Sequence, residues 1–485
     1  MTAETARPGY RRFVELGRNG PAKRRRAILV ALLILSAVLR LYRLDQSFWF
    51  DEIASMILFF HAPWPDLFTK MLIANHHPLY SMLAKLSVTA LGDAEWSARL
   101  PAFIFGTLTP PYLFLFGARW INERTGALAG LFMSISMWPV WFSQDARGYS
   151  AMILFALIAT HEFLAINAGG GRKEYALYVL AGVAAMYSQL YAGAVLAAHF
   201  LCAAVLWRRP GRNQRGPALM ALSAAAIVIS IGLYLPLAGD LLRFIAREGR
   251  LTAGPILTPM FVPQMIMGWS TGRGHPILSV LVAAPAVIGL AAAFSRQRLV
   301  AGTWILSLAI GLLVPLICGF FVYHRFFSYA LPGYYLMAAA GLDRALVMLP
   351  ARRRILGALP VLAACLVMVM GLHNYYHCGK QAFRPAAQWL RRNAPGYKVL
   401  VPGLAVDGFP YYYPSAAKQG EPAPLTTRML DHTAVVLSYL WSISYEDKNL
   451  IASHCRQAKF YPSSAYHELD VTIYLCGPAT TGAPK

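Results

Sequence analysis

Apolar runs long enough to cross a bilayer recur along most of the chain, and short arginine clusters part them. A helical crossing takes roughly 20 apolar residues. Eleven segments fit, near 26–43, 99–118, 126–143, 149–168, 175–188, 191–207, 217–238, 276–295, 300–321, 329–348 and 355–373. Backbone amides in lipid must pair within their own segment, so continuous apolar runs of this length are helices. Only 14% of the residues are charged, against roughly a quarter in a soluble domain. The expected fold is an α-helical polytopic membrane protein with about eleven transmembrane helices. A net charge of +22 would suggest nucleic acid in a soluble protein. Here the arginines lie between spans, as the positive-inside rule describes, and no nucleic-acid motif accompanies them.

Charge fixes the expected topology. With the N-terminus inside, the cytoplasmic loops carry Arg119/Arg124, Arg172-Lys173, Arg208 to Arg215, Arg296/Arg298 and Arg352 to Arg354, and every one is basic. If 78–91 also crossed, all of these clusters would fall outside. That segment is short and contains Lys85, so an interfacial or re-entrant helix is expected there. The run from Ala27 is followed by Arg40 and Arg43 with no small-residue cleavage site, which reads as a retained first span. Three parts follow: a basic cytoplasmic leader over 1–25, a transmembrane domain over 26–373 whose first outer loop is 44–98, and an extracytoplasmic tail over 374–485. In the tail, 383–395 has the pattern of an amphipathic helix, and 398–403, 433–440 and 470–477 have that of strands. A small α/β domain is expected.

The same topology gathers the chemistry-bearing residues on the outer face. Asp51 and Glu52 follow Phe48, Trp49 and Phe50, aromatics that settle at a membrane interface. Adjacent helical residues point about 100° apart, so one pocket can use only one of the pair. The plainer reading makes Asp51 an N-cap and Glu52 a first-turn carboxylate. His76 and His77, before Pro78, could meet a metal or a phosphate, or simply end a loop. In the segment 144–149, Arg147 and Tyr149 are either interfacial anchors or site residues. Asp145 is then a second acid or the orienter of Arg147. His324-Arg325 offers a guanidinium whose fork can grip two phosphate oxygens. His161-Glu162, inside a span, reads as structural, with a proton relay as the minor reading.

Absences narrow the chemistry. Neither GxxxxGK[ST] nor GxGxxG after a strand occurs, so no loop cradles a nucleotide phosphate. No CxxC spacing points to structural zinc. Cys202, Cys318 and Cys365 lie in apolar runs, whereas Cys378, Cys455 and Cys476 lie in the tail. A Cys455–Cys476 disulfide and unrelated thiols fit the sequence equally well.

In order, SFWFDE (47–52), HHPLY (76–80), EWSARLP (95–101), QDARGY (144–149) and YHRFFSYALP (323–332) resemble the GT-C glycosyltransferases that use polyprenyl-phosphate sugars. Within them the chain is similar to bacterial relatives of the protein O-mannosyltransferases and lipid A aminoarabinose transferases. HHPL has one proline where these relatives have two, and HRFF replaces their Arg-Tyr. The resemblance implies a GT-C fold and an inverting transferase in the bacterial inner membrane, its site extracytoplasmic and its acceptor an envelope lipid, polysaccharide (lipopolysaccharide included) or protein. It implies Asp51, Glu52 and Asp145 as catalytic carboxylates. His76, His77, Arg99, Gln144, Arg147, Tyr149, His324 and Arg325 would bind the substrate. No cofactor is implied with certainty, although a divalent cation serves in some members. The rival expectation is a transporter or lipid flippase, which would place ionisable groups at mid-membrane in broken helices.

Overall fold

A computed structural model describes residues 22–71, 76–208, 215–247, 257–272, 275–318, 322–348, 354–418, 424–464 and 467–477. Most of the basic leader, and the arginines at 209–212 and 352–353, lie outside them. So does the side chain of Cys318.

Helices stand at all eleven expected positions. They are α1 (Ala22–Leu41), α4 (Glu95–Trp120), α5 with α6 (Glu123–Ile135, Met137–Ser143), α7 (Tyr149–Asn167), α8 (Arg172–Ser188), α9 (Gly193–Arg208), α10 (Gly216–Tyr234), α11 (Pro276–Arg296), α12 (Arg298–Cys318), α13 (Leu331–Met348) and α14 (Arg354–Cys378). Two shorter helices, α2 (Phe50–Ser55) and α3 (Pro78–Leu91), lie in the first loop. Length and composition alone do not confirm all eleven as crossings. Among the described residues seven helices are long and apolar enough to span, or eight if the bent α5–α6 pair is one span. The lysine and arginines opening α1, the 17-residue length of α8 and the Asp343-Arg344 pair within α13 set those three apart.

The run 126–143 is not one straight span. Ser136 is extended and the two helices meet at 62°, just before Pro139. A break of this kind leaves carbonyls without intrahelical donors. Buried Arg40, at the end of α1, meets that need: it donates to the carbonyls of Met133 (3.1 Å) and Ser134 (3.4 Å) and to Ser143 Oγ (2.9 Å).

The tail forms a five-stranded sheet in the order β2-β1-β3-β5-β4, with β1 Lys398–Val401, β2 Ala417–Lys418, β3 Thr433–Leu437, β4 Cys455–Tyr461 and β5 Val471–Cys476. β1 runs parallel to β2 and β3, while β5 is antiparallel to β3 and β4. The expected strands are present, and sequence reading missed β2 and β4. Helix α15 (Phe383–Asn393) covers one face of the sheet. Cys455 and Cys476 stand opposite each other on β4 and β5 and form a disulfide.

The sheet is not merely set beside the membrane helices. Phe48, Ile53, Met56, Phe59 and Phe60 of the first loop share one buried core with Phe383, Leu390, Val401, Phe409, Val436 and Ile473 of the tail. Apolar area removed from water stabilises by about 25 cal/mol per Å², so loop and tail hold each other in place.

Candidate active site

The C-terminal ends of α1, α6 and α14 and the N-terminal ends of α3, α7 and α13 meet beneath the tail. Almost every residue singled out in the sequence converges there. Helix α2 begins after Trp49, which is the N-cap in place of Asp51. Glu52 Oε2 accepts from the Trp49 amide at 3.3 Å, so the capping carboxylate is Glu52.

The two acids then part company. Asp51 Oδ2 pairs with Arg147 Nη1 and stands 3.5 Å from Arg325 Nη2. Its side chain keeps 12% of its surface open. Glu52 is sealed: Arg99 grips both its oxygens at 2.7 and 2.6 Å, the Ala146 amide donates at 2.7 Å, and Lys380 Nζ lies 3.5 Å away. Burial alone would push the Glu52 carboxyl up, but the Arg99 guanidinium and the Lys380 ammonium outweigh it and hold the group below its ordinary range. Asp145 is also sealed. Its Oδ1 accepts from Trp49 Nε1 at 2.8 Å and from Lys380 at 3.3 Å, and Oδ2 has no hydrogen-bond partner among the described residues. Burial pushes this carboxyl up in spite of Lys380.

Arg147 is aimed by His77. The ring Nδ1 faces the Ser188 carbonyl at 2.8 Å, which fixes that nitrogen as the donor and leaves Nε2 to accept from Arg147 at 2.9 Å. Burial, then the nearby Arg147 charge, depress the His77 pKa well below the usual imidazole value, so the ring is neutral. This contact needs Gly148, where a Cβ would sit 2.2 Å from the Ser188 carbonyl and 3.1 Å from the His77 ring. Arg325 lies 4.1 Å over the Tyr323 ring and 5.6 Å over Trp49.

Other expected residues take quieter places. Arg99 is fully buried, and its remaining donors go to the carbonyls of Leu44, Gln46 and Ser47. Gln144 caps the end of α1 by donating to the carbonyls of Arg40 and Tyr42 and accepts from Tyr375. Tyr149 packs against His77 and beneath Arg147, its hydroxyl unpartnered among the described residues. His76 stacks on Phe59 at 4.3 Å, and burial lowers its pKa to about 4. His324 packs on Phe261 at 4.4 Å. His161 pairs with Arg119 at 3.1 Å amid Tyr112, Phe116 and Trp120.

Sequence reasoning missed the tail's share of the site. Lys380 is fully buried over the Trp141 ring and also donates to the Gln144 carbonyl at 2.6 Å. Gln381 accepts from the Phe50 amide at 2.9 Å and donates to Ser438 at 2.9 Å. Tyr439 sets its ring 5.5 Å from Phe50. The signal available was the Gly379-Lys380-Gln381 triplet just past the last span.

A divalent ion does not fit this donor set. Among the described residues no three His, Cys, Asp or Glu side chains gather as metal ligands, and each site carboxylate already faces a cation.

A helical membrane bundle, a folded first loop and a small sheet domain closing one end over buried carboxylates and arginines make this a GT-C fold. Residues 75–234 match the family described as dolichyl-phosphate-mannose-protein mannosyltransferase. The chain is similar in structure to ArnT from Cupriavidus metallidurans bound to undecaprenyl phosphate, at 13% identity and a TM-score of 0.60, over 96% of this chain and 100% of that one. It is also similar to the oligosaccharyltransferase AglB from Archaeoglobus fulgidus in complex with an inhibitory peptide and a dolichol-phosphate, at 12% identity and a TM-score of 0.54, over 94% and 75% of the two chains. No curated protein matches it in sequence.

Proposed function

We propose that this chain is an inverting glycosyltransferase that moves a sugar from a polyprenyl-phosphate donor to a hydroxyl of an envelope acceptor: a lipid, glycan or protein. The observation that carries this reading is Asp51: of the three buried acids at this site, it alone keeps an open edge, and two guanidinium groups face it. An anionic phosphate and an incoming hydroxyl need that pairing of cations with a reachable base. The undecaprenyl phosphate of ArnT and the dolichol-phosphate of AglB, held in the same fold, support a donor of this class.

In the proposed reaction the acceptor O–H gives its proton to Asp51 while its oxygen attacks the anomeric carbon. The bond from that carbon to the phosphate oxygen breaks on the opposite face, and polyprenyl phosphate leaves with the electron pair. Arg147 and Arg325 meet the charge that gathers on the leaving oxygen. Neutral His77 accepts from Arg147 and so keeps one end of its fork fixed. Phosphate between the two arginines draws them from Asp51 and leaves that carboxylate more basic. Glu52 with Arg99, and Gln144 with Tyr375, hold the loop rather than touch substrate.

The same reading places the protein in the bacterial inner membrane with this site outside. The Cys455–Cys476 disulfide suits an oxidising compartment for the tail. Ionisable groups gathered at one end of the bundle argue against a transport path.

The test uses the full chain in nanodiscs, a panel of undecaprenyl-phosphate hexoses and pentoses, and an envelope lipid extract. Wild type should consume one panel member, and Asp51→Asn should not, while folding normally. Full turnover by Asp51→Asn would overturn the assignment.

A further inference from the structure

Seven charged side chains form two tiers at the site. The upper tier is Asp51 with Arg147 and Arg325, which sum to one positive charge; beside them lies the tail's Glu468, whose carboxyl burial pushes up toward its neutral form in spite of Arg325. The lower tier is Glu52 and Asp145 with Arg99 and Lys380, and it sums to zero. Both acids and both cations of the lower tier have no exposed surface, so little screening separates the tiers. Lys380 is the only member of the lower tier that comes from the tail. It follows Gly379, whose φ of +76° turns the chain at the end of α14 and carries the lysine inward.

Its contacts reach both sides of the site. Nζ donates to the Gln144 carbonyl at 2.6 Å and to Asp145 Oδ1 at 3.3 Å, and it stands 3.5 Å from Glu52 Oε1. Asp145 Oδ1 in turn accepts from the indole of Trp49, the N-cap of the helix that carries Asp51. Asp145 is also two residues from Arg147. One ammonium therefore neutralises the acids under the rim and ties the Asp51 helix to the Arg147 segment.

We infer that Lys380 is a positioning residue for this site: it balances Glu52 and Asp145, which keeps the rim above them net positive for an anionic phosphate and holds Asp51 in register. The inference rests on the transferase reading and adds the tail's part in it.

The consequence has a definite sign. The groups facing Asp145 are Lys380, Glu52, Arg147, Tyr80 and Tyr149. Burial already pushes the Asp145 carboxyl up with Lys380 beside it. With the ammonium gone, it rises further, which restores balance until the pH climbs through the new value. A Lys380→Met chain should therefore bind anionic lipid less well as pH rises, and removing the acid should cure it.

The test measures undecaprenyl phosphate affinity of the full chain in nanodiscs by native mass spectrometry, together with kcat on the panel donor that wild type consumes. Lys380→Met should lose affinity and turnover, the latter on the order of a hundredfold. Both losses should deepen as the pH is raised and Asp145 ionises. Lys380→Met with Asp145→Asn should recover most of both and show no such slope. Unchanged affinity and turnover in Lys380→Met would overturn the inference, as would a double variant as weak as the single one with a flat profile. Should Lys380→Met fail to fold, Asp145→Asn alone gives the mirror test: its lower tier gains a positive charge and affinity should rise, and an unchanged or lower affinity overturns the inference. A wild type that binds undecaprenyl phosphate but transfers no sugar sinks only the transferase reading; one that binds none sinks both.

Discussion

Asp51 and Glu52 adjoin in the chain and live in opposite surroundings. Glu52 spends its oxygens on Arg99, two backbone amides and the neighbourhood of Lys380, with no surface left open. Asp51 pairs with guanidinium groups from two separate segments and is partly open. A buried acid with every lone pair used is a fastening, because moving it would strand the partners it satisfies. An acid with an open edge and labile partners is available for proton transfer. The 100° between successive helical positions lets one dipeptide serve both ends.

The largest effects should come from swapping the two roles. Asp51→Asn should cut turnover by roughly 10²–10⁴-fold, the usual range for a general base, with little change in unfolding temperature. Glu52→Gln should cost about 3–5 kcal/mol of stability, because it leaves Arg99 buried without its counter-charge. Thermal unfolding in nanodiscs alongside turnover separates them. If Asp51→Asn destabilises as much as Glu52→Gln, the contrast between fastening and base is wrong.

Much of this was legible in sequence, and the reason is locality. Apolar runs and the arginines between them are read within one segment, so helices appeared where expected. The motifs at 47–52, 76–80 and 144–149 came together because topology put them at one end. What stayed hidden depends on distant partners. Nothing local shows that Arg99 spends its fork on Glu52 and three carbonyls, or that Gln144 caps α1. The break at Ser136 left only Pro139 as a sign. Lys380 drew no reading from its own segment, since the shared core of the first loop and the tail joins residues more than 300 positions apart.

That shared core makes the fastening half of the contrast depend on the tail. Replacing Cys455 and Cys476 by serine releases a cross-link over a sequence separation of 21, worth about 3 kcal/mol in the chain-entropy picture. The expected result is faster proteolysis of the sheet at a given temperature, followed by loss of turnover at temperatures where wild type is intact. Turnover that persists after the sheet is cleaved would show that the lower tier stands without the tail.

The smallest effect concerns pH and sharpens the upper tier. His77 is neutral in the fold, its pKa depressed well below the ordinary imidazole value by burial and then by Arg147. The unfolded chain therefore binds more protons than the folded one once pH falls below the unfolded value, about 6.5. Stability from this group is full above that value and is lost as pH drops toward the folded pKa. Glu52, with its pKa lowered, gives the same sign at lower pH, beginning near the ordinary carboxylate range. The two windows are distinct, and His76 and His324, also lowered by burial, add to the upper one, so a His77→Gln chain, whose amide oxygen can still accept from Arg147, should show a shallower decline just below about pH 6.5 and keep the one at lower pH. Unfolding temperatures taken from about pH 7.5 down to pH 4 would show it. A decline of equal size in both chains across the upper window would mean that His77 is not the neutral acceptor holding Arg147.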